Sequence, residues 1–383
     1  MNMFTPPRVV LVHDWLTGMR GGEKCLEFFC RRWPEAPLYT VLHKRGSVSP
    51  SIEWRDVRTS FLQMLPRVER YYRYLLPLMP RAVSWKIPDC DLVLSSSHCV
   101  AKGVQPPEGV PHVCYCFTPM RYAWHMRKSY FGERKSPKSM LINMLLSSLR
   151  RWDKKTADRV THYVAISKTV QKRIRECYER ESEVIYPPVD TEFYHPAPGP
   201  REDYYLVVSA FAPYKRLDLC IEACNQLQRK LVIIGQGQNE ARLRAMAGPT
   251  IEFLGWQPDE TIRQHMRTCK ALLFPGEEDF GIVPLEAQGC GAPVIAYGRG
   301  GATETVIPPG RLEEPTGLWF GEQSADCLVQ AMRQFEGLAE DFSPRKIRQH
   351  AEKFNTRRFA DEIFSYVQFV LDQGAEQLPR RAA

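Results

Sequence analysis
Short apolar runs, each followed by a turn and then a helical pattern, recur along this chain in two blocks. That alternation restricts the fold more than any other feature. In the first block residues 9–13 (VVLVH) lead into a glycine-rich turn at 18–22, and a helical pattern of Cys25, Leu26, Phe28 and Phe29 starts near Glu23. Strand, glycine turn and helix, in that order, open a doubly wound domain. Further strands are expected at 38–42, 92–95, 113–116, 163–166 and 184–186. Pro187-Pro188 and the segment 196–200 interrupt regular structure, and the pattern then restarts. Strands are expected at 205–209, 230–234, 251–253, 271–274 and 294–296, and helices at 217–227, 240–247, 259–269, 284–288 and 325–335. One amphipathic helix is expected over 344–373. The fold class is therefore α/β, with two Rossmann-like domains at 1–190 and 191–359 and a terminal helix, about 360–383, packing back on the first. Parallel sheets with both faces covered bind ligands at the carboxyl ends of their strands, so two such domains facing across a cleft would share a site.

At 383 residues the chain suits about two domains. No apolar run approaches the ~20 residues of a membrane span, and the start, MNMFTPPRVVLVHDW, lacks a signal-peptide layout. The twelve cysteines contain no CxxC, so reduced thiols in the cytoplasm are expected, with no metal cluster. Charge is unevenly spread. Residues 1–190 hold 31 Lys and Arg against 18 Asp and Glu, whereas residues 191–383 hold 21 against 26. A basic first half favours an anionic partner, and without a nucleic-acid-binding module that partner is phospholipid or a phosphorylated substrate rather than nucleic acid. The stretches 67–86 and 135–155 interleave cations with Tyr, Trp, Leu and Met. They read either as a surface for anionic lipid headgroups, placing the protein on the inner face of the cell membrane, or as core residues with a cationic rim.

The densest chemistry lies in Phe274-Pro-Gly-Glu-Glu-Asp-Phe-Gly-Ile-Val-Pro-Leu-Glu286. A buried-type strand ends there, Pro284 suits a helix start, and the amides of Gly281, Ile282 and Val283 offer an anion site. Glu278 reads as a sugar ligand or a solvated loop acid, and Glu286 as a ribose ligand or a charge complementing the helix dipole. In Ser209-Ala-Phe-Ala-Pro-Tyr-Lys215-Arg216-Leu-Asp218, the two cations stand where a diphosphate would be neutralised, and Asp218 is expected to cap the helix. Gly235-Gln-Gly237 permits close backbone approach to a ligand, and Trp256 either stacks on a base or packs in the core.

The stretch GEEDFGIVPLEAQGCGAPVIAYGRGGATETV resembles the donor-site signature of the family 4 (group 1) retaining glycosyltransferases. Their two spaced glutamates match Glu278 and Glu286, and a PYKR-type motif matches Lys215 and Arg216. The resemblance implies a GT-B fold, with Glu278 on the transferred sugar, Glu286 on the ribose and Lys215 on the diphosphate. It also sets Gly235 and Gly237 beside the donor, with the glycine loop at Gly21 and Gly22 facing its phosphates. It implies no cofactor and no metal, a nucleotide-sugar donor (GDP-mannose first, UDP-hexoses next) and a glycan or lipid-linked acceptor. Ser95-Ser-Ser-His98 and Cys116-Phe-Thr-Pro-Met-Arg-Tyr-Ala-Trp-His125 resemble a subgroup, akin to mannosyltransferases, active in bacterial surface polysaccharide assembly. Two departures stand out. Relatives commonly have a sugar-contacting histidine where this chain has Phe117, and many have an arginine where it has Ala210. His98, Arg121 and His125 are then candidates for the sugar and acceptor side. A sugar-nucleotide epimerase and a non-catalytic sugar-nucleotide-binding protein are the rival readings.

Overall fold
The computed structural model describes residues 6–124 and 137–377. The chain divides into two compact units, Met1–Tyr186 with Ala360–Ala383, and Pro187–Phe359. Among the described residues the first unit carries β1 (Val9–His13), β2 (Leu38–Thr40), β3 (Val57–Thr59), β4 (Leu92–Ser97), β5 (His112–Cys116), β6 (His162–Ala165) and β7 (Ser182–Val184). They pair in parallel in the order β3-β2-β1-β4-β5-β6-β7. The second unit carries β8 (Tyr205–Val208), β9 (Leu231–Ile234), β10 (Ile251–Gly255), β11 (Ala271–Phe274), β12 (Val294–Tyr297) and β13 (Gly317–Phe320), in the order β10-β9-β8-β11-β12-β13. The order reverses beside β1 and β4 in one sheet, and beside β8 and β11 in the other. Such switch points open a crevice at the carboxyl ends of the strands.

Alternation of side chains along each strand explains why both faces are covered. In the second unit Tyr205, Val207, Leu231, Ile233, Leu273 and Ile295 enter one core, while Leu206, Val232, Ile234, Leu272, Val294 and Ala296 enter the other. The sheets have two edge strands beyond those expected, β3 and β13; β3 is too short to show an alternation of its own. The expected single tail helix is two, Pro344–Glu352 and Thr356–Gln377. The break is enforced between them: the Phe354 carbonyl accepts the Val189 N–H at 2.9 Å, and Asn355 Oδ1 accepts the Arg358 N–H at 2.8 Å, starting a new helix. That second helix meets the first unit through Phe364 on Trp33 (5.6 Å) and Tyr366 on His162 (6.4 Å).

The apolar content of residues 67–86 divides. Val68, Tyr72, Leu76, Met79, Ala82 and Val83 are core, whereas Tyr74 and Leu78 are exposed with Arg67, Arg70, Arg73, Arg81 and Lys86. No helix among the described residues is long and apolar enough to cross a membrane. All twelve cysteines are free.

Candidate functional site
In the second unit the switch point brings together residues far apart in sequence. Lys215 follows β8 and Glu278 follows β11, the two strands on either side of the reversal, and Lys215 Nζ donates to Glu278 Oε1. Their side chains are 20% and 12% exposed, so this pair is reachable yet largely shielded. Lys215 Nζ also lies 5.4 Å from the Tyr214 ring centroid.

The loop carrying Glu278 is pinned from behind. The Glu278 carbonyl accepts the Gly301 N–H at 2.8 Å, and Glu278 bridges Gly300 in parallel. Gly300 has φ +66°, and a β-carbon on Gly301 would fall inside the Phe280 backbone. Both glycines lie within the motif quoted above, but their spacing gave no sign of this role.

Gly281, with φ +97°, caps the helix Ile282–Gly289, so the amides of Ile282 and Val283 open its first turn, where an α-helix has no internal acceptors for them. Glu286 sits one turn further in, with 7% of its surface exposed. Burial, and next the charge of Glu286, push the Tyr194 hydroxyl well above its ordinary range.

One expectation changes here. Asp218 does not cap the helix Leu217–Leu227: Arg216 holds the cap position in a left-handed conformation (φ 52°), and its Nε donates to Asp218 Oδ1 at 3.2 Å. Gly235 and Gly237 lie close against the chain's own backbone, where β-carbons would collide with Ser209 and Phe211, and the Phe211 N–H donates to the Gln236 carbonyl at 3.0 Å. Trp256 is 69% exposed, so it is not a core residue.

In the first unit β1, β4 and β5 end around a polar cluster. Buried Asp14, just after β1, accepts the N–H groups of His98 (2.6 Å), Cys99 (3.0 Å), Val100 (2.7 Å) and Ala101 (2.8 Å). It also pairs with His98 Nδ1 at 2.9 Å, holding a ring that is 31% exposed. Composition and spacing gave no warning of Asp14, because its partners lie more than eighty residues away.

The neighbouring hydroxyls are already engaged. Ser96 Oγ meets His13 Nδ1 at 2.7 Å, and Ser95 Oγ meets His112 Nε2 at 2.8 Å. Gly21 and Gly22 open the helix Gly21–Arg32, and the Glu23 carboxylate accepts the Arg20 N–H at 3.1 Å. Phe117 lies between these parts, its ring 6.4 Å from His13 and 6.5 Å from His98 and in contact range of Gly22. Arg121 is half-buried in the turn that follows, and His125 lies outside the described residues.

Burial alone would raise the Asp14 carboxyl. The charge and ring N–H of His98, the charge of His13 and the amide bonds outweigh it and hold Asp14 well below the usual carboxylate range. Asp14→Asn would turn an amide NH2 toward two backbone N–H donors. A loss of about 2–4 kcal/mol is expected near neutral pH. A carboxylate with a depressed native pKa stabilises fully above its unfolded value of about 4, and loses that contribution as pH falls through the native value. Denaturant titrations should therefore find the gap between wild type and variant constant near neutrality and closing below about pH 4.

Two Rossmann-type parallel units, with a Lys–Glu pair at one switch point and an Asp–His pair at the other, define a fold of GT-B type. The Glycosyltransferase Family 4 pattern matches residues 7–193, and the Glycosyl transferases group 1 pattern matches residues 190–354. The chain belongs to the family 4 (group 1) glycosyltransferases. An uncharacterized glycosyltransferase of Methanocaldococcus jannaschii is 30% identical over 149 residues, covering 38% of this chain and 42% of that one. The GDP-mannose-dependent monoacylated alpha-(1-6)-phosphatidylinositol monomannoside mannosyltransferase of Corynebacterium glutamicum is 34% identical over 140 residues, covering 32% and 35%. The chain thus spans less than half the length of either relative. Anabaena HepE, solved with UDP, shares the fold with a TM-score of 0.68 at 16% identity, over 94% of this chain and 99% of that one.

Proposed function
We propose that this protein is a retaining, metal-independent glycosyltransferase that moves a hexose, foremost mannose, from a nucleoside-diphosphate sugar to a glycan or lipid-linked saccharide. The observation that carries the reading is the Lys215–Glu278 pair at the β8/β11 switch point, next to the helix start at Gly281. A diphosphate arriving there competes for Lys215 and releases the Glu278 carboxylate to accept hydrogen bonds from sugar hydroxyls. Lys215 and the amides of Ile282 and Val283 then stabilise the charge that builds on the leaving diphosphate. Arg216 joins them by exchanging Asp218 for phosphate, and Glu286 holds the ribose. In the same-face route expected of the family, the leaving phosphate takes the acceptor proton, so the anomeric configuration is kept. GDP-mannose is preferred because the Corynebacterium relative depends on it; the UDP bound to HepE keeps UDP-hexoses next. His98, held by Asp14, supplies the polar group that Phe117 lacks. Cytoplasmic residence against an anionic membrane surface belongs to the same reading.

A thermal-shift panel of GDP, UDP, ADP and dTDP sugars tests the donor. At a hundredfold excess over Kd the bound donor is expected to add about 2.7 kcal/mol of stability, and GDP-mannose should give the largest rise. A flat panel would remove the proposal.

A further inference from the structure
An open cavity of about 420 Å³ lies in the first unit, beyond the carboxyl ends of β1 and β2. Ligand pockets begin near this size, at about 300 Å³. Its walls carry Arg20, from the loop after β1, Lys44, from the loop after β2, and Arg70 and Arg73, from the segment after β3; Glu69 is its one lining carboxylate. Among the described residues Arg20, Lys44 and Arg70 have no carboxylate within ion-pair distance. Gathering Arg20, Lys44 and Arg70 in one concavity without ion-pair partners among the described residues makes its potential positive and favours an anion there.

The floor is aromatic. Buried Tyr72 lies 5.6 Å beneath the Arg73 guanidinium and 5.2 Å from Trp15, and Trp15 meets His98 edge-on at 4.5 Å. The cavity therefore adjoins the Asp14–His98 pair through two ring contacts. Thr17 lines the same cavity, and its hydroxyl has no partner among the described residues.

We propose that this cavity binds the phosphate or diphosphate group of the acceptor. Guanidinium forks and a lysine suit the geometry and charge of phosphoryl oxygens, and the size admits a phosphorylated sugar as well as the phosphate alone. Calling the ligand an acceptor rests on the transferase reading; the anion site does not. Exposed Phe61, Met64, Tyr74 and Leu78 border the segment that supplies Arg70 and Arg73. They give the tail of a lipid-linked acceptor an apolar surface beside its headgroup.

The test titrates inorganic pyrophosphate into the full chain by calorimetry, using wild type, Lys44→Ala/Arg70→Ala and Lys215→Ala. Lys44 and Arg70 are exposed, so the double variant should keep the wild-type circular dichroism spectrum; Arg70→Glu alone serves if it does not. Wild type is expected to bind two anions. The double variant should lose one of them, weakened at least ~30-fold, while Lys215→Ala loses the other. Two intact sites in the double variant would overturn the proposal. Two intact sites in Lys215→Ala would instead strike the donor site and leave this one standing. Phosphatidic acid vesicles identify the source. Competition with pyrophosphate in wild type and not in the double variant assigns a lipid headgroup, and pyrophosphate binding without vesicle binding assigns a soluble phosphate ester. Equal vesicle binding by both proteins, with no pyrophosphate site, would replace the cavity with a diffuse surface charge and reject it.

Discussion

Glu278→Gln is expected to lower turnover by about 10²–10³-fold while the protein keeps its fold, because the substitution removes charge from the sugar-facing oxygen and almost nothing else. The Glu278 backbone is held by the Gly301 N–H, so the loop stays in place without the carboxylate. Lys215 loses its ion-pair partner but stays partly solvated and close to Tyr214, so the stability cost is expected to be small. Lys215→Ala should act on a different step: nucleotide-sugar affinity falls, because the diphosphate contact is lost in the ground state as well. Steady-state transfer of labelled hexose, with melting curves for each variant, separates the two. Wild-type turnover in a folded Glu278→Gln protein would sink the site assignment.

Gly301→Ala is expected to be a strongly damaging methyl addition in the second unit, and the one that bears directly on the Glu278 loop. Its β-carbon would lie inside the backbone of Phe280, with no flexible side chain there to yield. Overpacking costs typically about 1–3 kcal/mol, and a clash with main chain belongs at the upper end. A fall in Tm on the order of 6–10 °C is the expected reading for a unit of this size. Turnover should fall with it, since the loop that must shift carries Glu278. An unchanged Tm would mean that Gly301 does not set the loop position. A lowered Tm with full activity would separate that position from catalysis.

Local pattern made much of the fold legible. The helix 217–227 and the strand 271–274 are found where the periodicity predicts them, because an amphipathic stripe and a short apolar run each leave a signal within one element. Edge strand β3 was not legible, as three residues cannot show alternation. Nor was the break at 353–355, because the acceptor that stops the helix serves Val189, about 165 residues away in the chain. A similar limit applied to the functional residues. Glu278 and Glu286 were visible as acids around a helix start. The pairing of Glu278 with Lys215, the Arg216–Asp218 bond and the hold of Asp14 on His98 were not.

The sequence by itself determined two parallel α/β units, a basic first half and the glutamate and lysine motifs of a glycosyltransferase family, since composition, periodicity and spacing are properties of neighbours along the chain. Only the tertiary structure decided which of those residues meet. Strand order reverses beside β1 and β8, and that reversal carries Lys215 to Glu278 and Asp14 to His98. It also packed Gly235 and Gly237 against the chain's own backbone at Ser209 and Phe211, and gave Gly300 and Gly301 the work of positioning Glu278. Close packing of distant backbone segments sets these roles, and a linear sequence carries no record of which segments will touch.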